Sequence, residues 1–60
     1  MPMITVKILE GHSDESKRKM AAGIQKAVLD NTHMQLSASD VWIVFEDVPE
    51  KQWFWGDFNE

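Results

Sequence analysis

Residues 41–48 constrain this chain more than any other segment. Val41, Ile43 and Phe45 alternate with Trp42, Val44 and Glu46, the pattern of a strand, and Pro49 ends it. Both faces of that strand are largely apolar, so both need cover. The chain has 60 residues and no cysteine. At that size folding buries only about 60% of the unfolded surface, and no disulfide or cysteine-based metal site can staple the fold. One domain over residues 1–60 is therefore expected, with the missing cover supplied by further copies of the chain.

The other elements follow from the same periodicity. Residues 3–9 form a strand with Ile4, Val6 and Ile8 on one face and Met3, Thr5 and Lys7 on the other. Gly11 breaks it, and Ser13 is placed to cap a helix whose first turn carries Asp14 and Glu15. Position 16 is Ser, so the reciprocal capping box is missing. Met20, Ala21, Ile24, Ala27 and Val28 give residues 14–31 one apolar stripe, with Lys17, Arg18, Lys19 and Lys26 as a solvated rim. A polar loop holding Met34 and Leu36 as anchors leads to the second strand. The fold class is α+β, a β-α-β unit with parallel strands and a right-handed crossover. One helix covers one sheet face, and a second copy would close the other.

Charge narrows the partners. Six basic residues face ten acidic ones, giving a net charge of −4, which leaves no basic stripe for nucleic acid. No apolar run reaches a membrane span, and no signal-peptide segment is evident, so a cytoplasmic protein is expected. All six aromatics (Trp42, Phe45, Trp53, Phe54, Trp55 and Phe58) lie in residues 40–60, where six acids accompany Lys51 alone. An aromatic tail of this kind needs a covering surface, and another subunit is the natural candidate.

Pro2 is the residue with most chemical potential. Removal of Met1 would leave a secondary amine at the end of a strand. A free α-amino group titrates near pH 8, and an apolar pocket lowers that further, bringing proton abstraction from carbon within reach of neutrality. Many chains begin with Met-Pro, so this feature alone is weak.

The surrounding residues strengthen it. Pro2-Met3-Ile4-Thr5-Val6-Lys7-Ile8-Leu9-Glu10-Gly11-His12-Ser13 resembles the start of the 4-oxalocrotonate tautomerase family: proline, a short strand, then a Glu-Gly joint into the helix. Val41-Trp42-Ile43-Val44-Phe45-Glu46-Asp47-Val48-Pro49, followed by Trp53, is similar to that family's second strand and Val-Pro-to-Trp ending. The resemblance covers nearly the whole chain. It implies subunits that pair into dimers, commonly three dimers to a hexamer, with active sites at subunit boundaries. It also implies enol–keto tautomerisation of small 2-hydroxydienoate-type acids, without cofactor or metal.

Carried over residue by residue, Pro2 matches the catalytic proline and Trp53 the aromatic that keeps the pocket apolar. The family's two substrate-holding arginines fall on His12 and Trp42. An imidazole lacks the bidentate fork of a guanidinium, and an indole offers a single N–H and a flat wall. His12 is either substrate-facing or an exposed loop residue. Trp42 is pocket wall or interface packing, and Trp53 likewise. His33 reads as surface. Glu46 and Asp47 point to opposite faces and make no carboxylate pair. Two alternatives stand beside a tautomerase: a proline-dependent hydratase or dehalogenase, and a non-catalytic or weakly promiscuous oligomeric homologue.

Overall fold

A computed structural model describes residues 2–58. Strand β1 (Met3–Leu9), helix α1 (Asp14–Asn31) and strand β2 (Trp42–Val48) follow in that order, with single 3-10 turns at Ala38–Asp40 and Glu50–Gln52. The strands are parallel neighbours, with Met3 opposite Trp42, Val6 opposite Phe45 and Leu9 opposite Val48. The expected β-α-β unit is present.

Local chemistry explains each boundary. Gly11 adopts φ 111°, a conformation that turns the chain out of β1 and that a side chain would strain. Ser13 accepts a hydrogen bond from the Ser16 amide at 3.1 Å, satisfying one of the open donors of the first turn. At the other end Asn31 Nδ2 donates to the Ala27 carbonyl and the Thr32 amide to that of Val28.

Alternation along the strands splits the sheet into two unlike faces. Ile4, Val6 and Ile8 of β1 and Ile43 and Phe45 of β2 are half-buried beneath the helix side. Met3, Trp42, Val44 and Leu9 are exposed on the open side. The helix leans over β2, and Gln25 ties it to the second half by donating to the Ala38 carbonyl at 3.1 Å. Val41, only 7% exposed, is the one buried apolar residue among those described. A subunit with so little interior of its own leaves most of its apolar surface on the outside.

Four details differ from expectation. Lys17 is not on a solvated rim: its Nζ lies 2.6 Å from the Asp47 carboxylate, bridging α1 and β2 with its side chain 20% exposed. That is possible because Asp47 shares the helix-facing side of β2 while Glu46 takes the open side. Ala27 is exposed, and Gln25 and Leu29 share the half-buried stripe instead. Met34 is 61% exposed and anchors nothing within the subunit, whereas Leu36 is half-buried. Finally, the second strand starts at Trp42, because Val41 closes the 3-10 turn by donating its amide to the Ala38 carbonyl.

The aromatic tail leaves most of the open face uncovered, with Met3, Trp42 and Val44 still exposed. The Cα radius of gyration is 15.0 Å, against about 10 Å for a compact chain of this length. Phe54 and Trp55 are exposed, and Phe54 meets Phe58 edge-on at 5.7 Å across Gly56, which has φ 76°. No helix of the described residues is long and apolar enough to cross a membrane.

Candidate active site

The four candidate residues fall into two groups. Pro2 and Trp42 sit together at the start of the strands, where the Trp42 amide donates to the Pro2 carbonyl at 3.0 Å. His12 and Trp53 sit at the far end, each bound to the last residue of a strand. His12 Nδ1 is 2.9 Å from the Leu9 carbonyl, and Trp53 Nε1 donates to the Val48 carbonyl at 3.1 Å. At about 3.3 Å per residue, β1 alone separates the groups by about 20 Å. One subunit does not assemble them into one site.

Hydrogen bonding decides what each side chain offers. The Trp42 indole N–H donates to the Ser39 carbonyl at 3.2 Å. Trp42 therefore presents a flat apolar wall and no donor. Ser39 is held in turn by the 3-10 turn, in which the Ser37 amide and hydroxyl donate to Asp40 at 2.8 and 3.1 Å. Those bonds, the amide one foremost, hold the Asp40 carboxyl below its ordinary value of 3.8. The Trp53 indole N–H is likewise engaged, so its exposed ring, 39% accessible, is again a wall.

A carbonyl only accepts, so His12 Nδ1 carries the hydrogen in its bond to Leu9. The neutral ring then presents Nε2 as an acceptor, and only the imidazolium offers a donor to a carboxylate. His33 is exposed on the loop, as expected.

The Trp53 end holds residues that the sequence did not single out. Two clefts of about 440 Å³ each flank this indole. One is lined by Leu9, Glu50, Trp53 and Trp55, the other by Lys7, Val48, Gln52 and Trp53. The signal for Lys7 was its place on the open face of β1, two residues before Leu9. Among the described residues no group of three or more His, Cys, Asp or Glu is placed to hold a metal ion.

Comparison with known proteins identifies the family and the fold. A profile of the tautomerase enzyme family matches residues 2–58. The probable tautomerase of Halalkalibacterium halodurans is 38% identical over 48 residues, spanning 80% of this chain and 75% of that protein. Among solved structures, YwhB, a homologue of 4-oxalocrotonate tautomerase, superposes with a TM-score of 0.78 at 30% identity. That match covers 88% of this chain and 84% of its own. TomN, a 4-oxalocrotonate tautomerase homologue of the tomaymycin biosynthetic pathway, gives 0.82 at 25% identity over 92% and 82%. The chain belongs to the tautomerase family.

Proposed function

We propose that this chain is a cofactor-independent enol–keto tautomerase, an isomerase in which Pro2, exposed by removal of Met1, moves one proton on a small 2-hydroxydienoate-type acid. The Pro2 nitrogen accepts the enol hydroxyl proton, and the O–H electrons become part of the new C=O. The C=C electrons then take the proton from nitrogen at carbon, so nothing is oxidised or lost. Trp42 and Trp53 wall the site, excluding water and favouring the neutral amine. His12 faces the substrate at the rim.

The observation that carries the reading is the separation of Pro2 and Trp42 from His12 and Trp53 by the length of β1. Two copies packed with strands antiparallel bring the Pro2 end of one against the Trp53 end of the other. Such a site is shared, and the single domain of residues 1–60 acts as a homo-oligomer, a hexamer of three dimers or the dimer alone. The open face bearing Met3, Trp42 and Val44 supports this, since exposed apolar faces of that kind favour association.

Subunit mixing tests it. Pro2→Ala and Trp53→Ala variants, each nearly inactive, are dissociated together and reassembled. A shared site predicts recovery to roughly a quarter of wild-type activity, because one junction type in four then carries both intact residues. A mixture no more active than its parts contradicts the shared site.

A further inference from the structure

Trp53 separates two clefts of unlike chemistry. Lys7 and Leu9 are two residues apart on the open face of β1, so the clefts begin about 7 Å from one another. Lys7 is the one cation on that face among the described residues, and it has no hydrogen bond or ion pair there. Glu46 lies opposite it in the ladder without pairing to it. On the Lys7 side, the Gln52 amide adds a second donor. On the other side, Leu9, Trp53 and Trp55 are apolar walls and Glu50 is the sole charged group. Glu50 makes no ion pair among the described residues.

We propose that this pair of clefts selects a monocarboxylate enol with an uncharged apolar tail: Lys7, with Gln52, anchors the carboxylate, and Leu9 and Trp55 hold the tail. Glu50 sets the specificity by repelling a second carboxylate. The inference rests on the tautomerase reading and names its substrate class. It follows from what the site lacks and what it has. His12, when neutral, and Trp42 offer no donor for an anion, whereas Lys7 has no ion pair among the described residues and offers an ammonium as a point charge. An unpaired carboxylate beside an apolar cleft disfavours a dicarboxylate through like-charge repulsion and raises no barrier to an aryl or alkyl group.

Two 2-hydroxyalkenoates of equal length, one ending in a phenyl ring and one in a carboxylate, test the assignment. Wild type is expected to favour the phenyl enol at least tenfold in kcat/KM. Lys7→Gln should raise KM for that enol about tenfold with kcat within about threefold, and Lys7→Arg should restore it. Glu50→Gln should narrow the discrimination and Glu50→Lys should invert it. Binding of the unreactive 3-phenylpropionate and glutarate, followed by tryptophan fluorescence, separates this inference from the reaction itself. If neither enol turns over, the tautomerase reading fails, yet tighter binding of phenylpropionate, weakened by Lys7→Gln, still upholds the clefts. An unchanged KM in Lys7→Gln, or unchanged discrimination in both Glu50 variants, overturns the proposal. So does the absence of analogue binding up to roughly 10 mM.

Discussion

The Trp42 amide donates to the Pro2 carbonyl at 3.0 Å, so the first described residue of the chain is fixed to the first residue of β2. This bond extends the parallel ladder past Met3. It sets the position of the proline ring relative to the Trp42 wall, independently of any side-chain donor. The indole is set separately, through the Ser39 carbonyl.

That division predicts the behaviour of Trp42→Phe. The ring wall and the backbone bond to Pro2 remain, and only the bond to Ser39 is lost. Stability should fall by about 1 kcal/mol, measured by denaturant unfolding. Turnover should stay within about twofold. A hundredfold loss of kcat would make the indole N–H a participant in the chemistry.

The Ser37–Asp40 turn gives a pH dependence with a definite sign. Donation from the Ser37 amide and hydroxyl depresses the Asp40 pKa in the folded state. Its stabilisation is therefore complete above the ordinary value of 3.8 and is lost as pH falls through the lower folded value. Asp40→Asn should be less stable than wild type at neutral pH and show a flatter loss of stability below about pH 4. Parallel acid limbs for the two proteins would contradict the turn's role.

Restoring a cation at position 12 should help the substrates that this site handles poorly. His12 is exposed on a loop, which accepts a longer side chain. His12→Arg is expected to raise kcat/KM for a dicarboxylate enol several-fold, mainly through KM. Steady-state assays at matched pH decide it. No gain, with Pro2 still essential, would mean that position 12 does not meet the carboxylate.

The fold was legible because its signals are local. Alternation in residues 3–9 and 41–48, the Ser13 cap and the Gly11 turn each point to an element without reference to the rest, though the second strand starts one residue later, at Trp42. Lys17 was misread for the opposite reason. Its partner Asp47 is 30 residues away, and only the register of β2 under α1 brings the charges together. The same limit hid the clefts around Trp53. Lys7 looked like an ordinary polar residue of a strand, and its meaning depends on a tail indole bonded to the end of β2. Met34 shows a further limit. A methionine that anchors nothing in one subunit reads from sequence like one that does.

Association should be obligatory for stability. With one buried apolar residue among those described, an isolated subunit is marginal. Light scattering at micromolar concentration is expected to give a dimer or hexamer, with an unfolding midpoint that rises with protein concentration. A folded monomer with a concentration-independent midpoint would refute the need for a second copy.

The central claim is that the free Pro2 amine is the proton carrier, and one comparison tests it most directly. Ketonisation of a phenyl-tailed 2-hydroxyalkenoate is measured with the chain beginning at Pro2, confirmed by mass, and with one alanine placed before Pro2. The added residue turns the amine into an amide without touching the strands or the tryptophans. The account predicts a loss of kcat/KM of at least about 100-fold, the scale of removing a positioned acid–base group. Equal rates for the two proteins would contradict it.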